Sequence, residues 1–190
     1  MQTTGVNRGT SNKSGVIAAA MLCAALATLP SVAQAATRSA KADVTIVTPL
    51  SFIKDEDLDF GTMIRGTTAG TVVVPPSGAR TVTGGVTLAP GAFGPSRFAG
   101  FGASGQTVQI SVASNSITIN RVGGGGSMTV DTFMIGSSPN PSAITTAPTS
   151  FTIGSANGIF NFALGATLRV GANQAPGDYN GTFTVILNYQ

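Results

Sequence analysis

Short alternating runs of apolar and polar residues, separated by clusters of Gly, Pro, Ser and Asn, predict an all-β chain folded as an antiparallel sandwich. About ten such runs follow one another, and no stretch beyond residue 36 carries a convincing helical period. The composition agrees: 25 glycines, 10 prolines and only 9% charged residues describe sheets whose solvent faces are covered by hydroxyls rather than by charge.

The runs justify themselves in order. The first, VTIVTPLSFI (44–53), is interrupted by Pro49; proline cannot donate to a ladder, so the run is an edge strand or two short strands meeting at a kink. Next come TVVVP (71–75), ARTVTGGVTL (79–88), SRFAGFG (96–102), QTVQISV (106–112) and SITINRV (116–122). SMTVDTFMI (127–135), SFTI (150–153) and IFNFALGATLRV (159–170) follow. SITINRVGGGGSMTV reads as a hairpin through Gly123–Gly126; the glycines lead into a strand, whereas a phosphate-cradling loop opens a helix. Residues 137–150 form a Pro/Ser/Thr loop. From Tyr179 the odd positions are Tyr179, Gly181, Phe183, Val185, Leu187 and Tyr189, while the even ones are mostly polar. That is the pattern of a strand with one buried face. A membrane barrel would show aromatic girdles, but there is no Trp and the two tyrosines both lie in this last run.

The first 35 residues read as a secretory signal peptide. Arg8 and Lys13 precede the apolar run GVIAAAMLCAALATLP, and Ala33 and Ala35 fit an A-x-A cleavage site. The run is too short and Ala-rich to span a membrane. Residues 36–190 then make one domain with no membrane span, exported to the periplasm, cell surface or exterior. Cys23 is the only cysteine, so this domain has no disulfide and no thiol chemistry. Losing Arg8 and Lys13 leaves eight basic against seven acidic residues, which gives no electrostatic case for nucleic acid.

Chemistry is scarce. The chain contains no histidine, which removes the usual general acid–base and triad mechanisms and most transition-metal sites. The expectation is a non-enzymatic protein without cofactors. Four carboxylates crowd into KDEDLDF, and Asp55, Asp57 and Asp59 are the calcium candidates. An EF-hand counted from Asp55 would need Gly and Glu where Phe60 and Gly66 stand, so the cluster reads as a solvated acidic turn. Asn180-Gly181-Thr182 matches a glycosylation acceptor, but its strand setting makes that a coincidence.

PLSFIKDEDLDFGTMIRG (49–66), GGGGSMTVDTF (123–133) and LGATLRVGANQAPGDYNGTFTVILNY (164–189) resemble the secreted bacterial family called domain of unknown function 4402. The resemblance implies an exported β-sandwich. The C-terminal block is also distantly similar to chaperone–usher pilus subunits and to spore coat protein U. In pilus subunits a penultimate Tyr and a Gly fourteen positions from the end mark the last strand; Tyr189 and Gly177 hold those places here. The likeness implies an immunoglobulin-like, pilin- or adhesin-like sandwich that is completed by a strand from a periplasmic chaperone or from another subunit. Gly177, Tyr179, Phe183, Val185, Leu187 and Tyr189 are then the assembly strand.

Val44 and Ile46 are the candidate donor residues. Against them, residues 36–43 are polar and few, and using Val44 and Ile46 would deprive the domain of its own first strand. The expected role is a fimbria-like or envelope-associated structural or adhesive subunit, with itself, related subunits or a chaperone as partner. The alternative is a self-contained sandwich that binds a sugar or protein.

Overall fold

The computed structural model describes residues 41–136 and 142–190. Residues 1–40, which include the expected leader with Ala33 and Ala35, and residues 137–141 of the Pro/Ser/Thr loop lie outside the described residues. Two units divide the chain, Met1–Asp43 and Val44–Gln190. Of the first, only Lys41–Asp43 is described, with an exposed ion pair between Lys41 and Asp43 at 2.9 Å.

The second unit is all strand. In chain order the elements are β1 (Ser51–Glu56), β2 (Met63–Ile64), β3 (Gly70–Val74), β4 (Thr81–Gly84), β5 (Thr87–Leu88), β6 (Ser96–Phe101) and β7 (Thr107–Val112). They continue with β8 (Ser116–Arg121), β9 (Ser127–Ile135), β10 (Ser142–Ala143), β11 (Thr149–Thr152), β12 (Ile159–Val170), β13 (Tyr179–Asn180) and β14 (Val185–Tyr189). Among the described residues no helix is long and apolar enough to cross a membrane.

All pairings are antiparallel. The large sheet runs β1-β6-β12-β9-β8-β13, with β3 joining β12 and carrying β4 at its far edge, and β10 adding to β9. The smaller sheet is β11-β7-β14, and β2 pairs β5 in a two-stranded ribbon. The pattern of burial follows the alternation read from the sequence. Val108, Ile110 and Val112 of β7 are fully buried, and the residues between them are not.

Strand β12 organises the large sheet. Ile159–Leu164 pair with β6, Ala166–Val170 pair with β3 on the same side, and β9 runs along the other. The change of partner falls at Gly165, opposite a bulge where β9 carries one extra residue. Thr132 sits in that bulge with φ 50°, as bulged residues commonly depart from strand geometry.

Aromatic rings line the interior, within the large sheet and between the sheets. Phe98 and Phe162 stack at 4.8 Å, Phe160 meets Phe151 of the smaller sheet at 5.5 Å, and Phe133 meets Phe183 at 5.4 Å.

Three expectations about the strands need correction. The 79–88 run is not one strand but β4 and β5, which belong to different sheets. The run 44–53 becomes a strand only at Ser51, and residues 44–50 belong to none. The cause is the partner: Ser51 already pairs with Phe101, the last residue of β6, and Pro49 offers no donor beyond it. The final run is also not one strand. Tyr179–Asn180 pair with β8 in the large sheet, whereas Val185–Tyr189 pair with β7 in the smaller one. Residues 181–184 carry the chain from one sheet to the other, and one straight strand cannot serve both.

A Cβ at Gly165 would lie 2.1 Å from the Val74 carbonyl oxygen and 2.7 Å from the Pro75 carbonyl carbon. Both are backbone atoms, so neither can turn aside. Gly165→Ala is expected to lower the unfolding free energy by about 2–3 kcal/mol, the scale of overpacking in a tight interior, as measured by urea titration followed by circular dichroism.

Candidate functional site: an unpaired lane beside the C-terminal strand

A strand's backbone groups point alternately to its two sides. Across the β14–β7 pair, Ala113 N–H donates to Thr184 O at 3.0 Å, and Gln190 N–H donates to Thr107 O at 3.0 Å. Those contacts fix the parity: even-numbered residues of β14 face β7. The N–H and C=O groups of Val185, Leu187 and Tyr189 therefore point to the opposite side, where no described strand pairs with them. β14 is an edge of its sheet, and β1 is an edge of the other.

The two edges face each other across a gap. At one end, Tyr189 hydroxyl donates to Thr48 O at 2.6 Å and accepts from Ala103 N–H at 2.7 Å. At the other end, Phe52, Lys54 and Asp57 line a cleft of about 320 Å³ together with residues 181–185. β1 thus runs opposite in direction to β14. The inward side chains of β14 pack on the core but none is fully buried; Val185, Leu187 and Tyr189 are each half-buried. An edge whose backbone groups find no partner among the described residues is a template onto which a further strand can pair.

The gap widens into a second cleft of about 1060 Å³. Its floor is the inner face of the large sheet, with Ile117 and Ile119 of β8, Met128 and Val130 of β9, and Leu168 of β12. One wall is the arm from Asp57 to Arg65 and the other is the segment from Gln174 to Gly181. Each wall is braced by an arginine that bonds to carbonyl oxygens. Arg80 donates to Phe60 O at 2.7 Å and to Ala89 O at 2.8 Å, and its guanidinium lies 4.3 Å from the Phe93 ring centroid. Its buried Nε has no partner among the described residues. Arg121 donates to Pro176 O at 2.6 Å and to Gly124 O at 2.8 Å, tying the second wall to the β8–β9 turn.

The sequence-predicted site residues fall into separate groups. Phe183, Val185, Leu187 and Tyr189 do line the gap, with their side chains on the inner side as the alternation requires. Tyr179 belongs to the neighbouring sheet. Its hydroxyl donates to Ala175 O at 2.7 Å and accepts from Gln174 Nε2 at 2.8 Å, closing the turn before β13. Gly177 has φ 138°, and a Cβ there would lie 2.7 Å from Arg121 Nε, so a side chain would collide with the brace just described.

Val44 and Ile46 are exposed. Asp55 is exposed, Asp57 is paired with Lys54, and Asp59 Oδ1 accepts from Gly61 N–H at 2.7 Å. Among the described residues no group of three metal-ligating side chains forms. The second cleft and its arginine braces were not legible in the sequence, because Arg80 and Arg121 each stand alone among strand residues and bond only to backbone.

Electrostatics are muted. On the outward-facing side of the large sheet, Arg169 Nε donates to Asp131 at 3.0 Å, and that carboxylate raises the guanidinium pKa, first through the hydrogen bond and then through its charge. An exposed pair of this kind contributes little to stability.

Tyr189→Phe removes both hydroxyl bonds while keeping the ring. It leaves the Ala103 N–H and the Thr48 carbonyl unpaired and should cost about 1–3 kcal/mol, measured by denaturant unfolding. A variant as stable as the wild type would show that the bonds contribute nothing.

Residues 50–189 match the family model described as a domain of unknown function (DUF4402). No curated protein matches the chain.

Proposed function

The chain belongs to the DUF4402 family, and from that premise we propose that it is a non-enzymatic, exported structural or adhesive subunit of the cell envelope or surface. Its immunoglobulin-like sandwich is completed by an added strand. The observation that carries this reading is the unpaired edge of β14, with lane-facing backbone groups at Val185, Leu187 and Tyr189 and half-covered apolar side chains behind them. Such an edge invites pairing with another chain unless something covers it. An added strand gains main-chain hydrogen bonds along the edge and specificity from alternate side chains. Each apolar side chain it buries contributes about 1.5–3 kcal/mol. The partner classes that fit are another copy, a related subunit or a periplasmic chaperone. The absence of histidine and the single cysteine at position 23 support a role without catalysis, and the leader pattern supports export.

A second reading draws on the larger cleft. Its apolar floor is rimmed by Asp59, Arg65, Gln174 and Asp178, which suits a self-contained sandwich holding a sugar or a protein segment. The two readings part on one substitution. Leu187 N–H faces the lane, so Leu187→Pro deletes an edge donor while every bond to β7 survives. Proline is tolerated at such edge positions, but losing the half-buried Leu187 side chain from the core brings the stability cost to about 2–3 kcal/mol. The wild type is expected to associate in light scattering and Leu187→Pro to remain monomeric. Association unchanged by Leu187→Pro would refute the assembly reading.

A further inference from the structure

We infer that Asn180 is an acceptor for an N-linked glycan, open to a glycan transferase while the chain is folded. Its use in the cell rests on the export proposed above; the site itself rests on the geometry of β13.

Asn180-Gly181-Thr182 satisfies the acceptor pattern, in which the middle residue is anything but proline. Beyond residue 36 the other near match, Asn140-Pro141-Ser142, is barred by its proline. What counts against the motif in the sequence is a strand setting, and in the fold that setting ends at Asn180. β13 is joined to β8 at Tyr179 and Asn180 only, and residues 181–184 belong to no strand. So short an edge strand opens locally at little cost to the rest. Such opening lets a transferase draw the segment into its own site.

The side chain also points the right way. Asn180 is paired directly opposite Asn120 of β8, and opposite residues of an antiparallel pair share a face. Ser116, Thr118 and Asn120 alternate with Ile117 and Ile119, which pack on the core, so that face is the outer one. Asp178, Asn180 and Thr182 are all exposed. β13 is the edge of the large sheet, and no described strand lies beyond it. A carboxylate, an amide and a hydroxyl thus stand at alternate positions along an open edge. A transferase that also reads an acid two places before the asparagine finds Asp178 there.

The chemistry is group transfer. The Asn180 amide nitrogen forms a bond to the anomeric carbon of a glycan carried on a polyprenyl diphosphate. The bond from that carbon to the diphosphate oxygen breaks, and the diphosphate leaves with the electron pair. A base of the transferase takes the amide proton. The Thr182 hydroxyl is the handle by which the asparagine is recognised. An attached glycan is bulky and solubilising, so it closes the edge of β13 against pairing with other strands. β14, in the other sheet, stays open.

The test uses the folded full-length chain. It is incubated with a polyprenyl-diphosphate glycan and a bacterial single-subunit oligosaccharyltransferase active on an unstructured acceptor peptide. Mass spectra of the tryptic peptide 170–190 are expected to carry one glycan, on Asn180. Asn180→Gln and Thr182→Ala should lose it and Thr182→Ser should keep it, each variant matching the wild type in circular dichroism. A chain that gains no glycan on Asn180 overturns the inference, even where Asn12 in the leader motif Asn12-Lys13-Ser14 is modified. Equal modification of Thr182→Ala and wild type overturns it too. Export is read separately, by fractionating cells that express the full chain. A chain retained in the cytoplasm that still accepts the glycan in vitro sinks the export reading and leaves the acceptor standing.

Discussion

A strand presents hydrogen-bonding groups to both of its flanks, and the chain from Tyr179 to Tyr189 has a described neighbour on one flank only. Everything distinctive about the molecule follows from that constraint. Tyr179–Asn180 close the far edge of the large sheet against β8, and four residues later the chain has left for the smaller sheet. The crossing places Phe183 against Phe133 and brings the last strand alongside β7. It also leaves a three-stranded layer facing a much wider one, so that part of the wide sheet's inner face is met only by the Asp57–Arg65 arm.

The wide sheet tolerates this because its centre is unusually well paired. β12 is 12 residues long and has partners on both sides, trading β6 for β3 where Gly165 allows the backbones to approach. The buried residues Leu164, Ala166, Leu168 and Val170 lie along it. Leu168 and Val170 also floor the wider cleft, so the core and the cleft share side chains.

Much of this was visible in the residues. Period-two alternation located β3, β6, β7, β8, β9, β11 and β12 to within a residue or two, and the four glycines after Val122 marked the β8–β9 hairpin. Alternation also put the side chains of Phe183, Val185, Leu187 and Tyr189 on the inner side.

It failed where pairing rather than patterning decides. Val44 to Val47 has every local mark of a strand, yet β6 ends before it could find a partner. Residues 181–184 continue the alternation of β13 and β14 while belonging to neither. The 79–88 run divides at Gly84 and Gly85 into strands of different sheets. The arginine braces left no trace in the pattern, since carbonyl acceptors have no sequence.

The Arg80 brace has a chemical consequence of its own. An ion pair needs an ionised carboxylate, but the partners of Arg80 are main-chain oxygens, which take up no proton in ordinary acid. Guanidinium keeps its charge throughout the same range. The arm over the wide sheet is thus fastened by contacts indifferent to acidity, and its grip persists in surroundings where pairs of opposite charge let go.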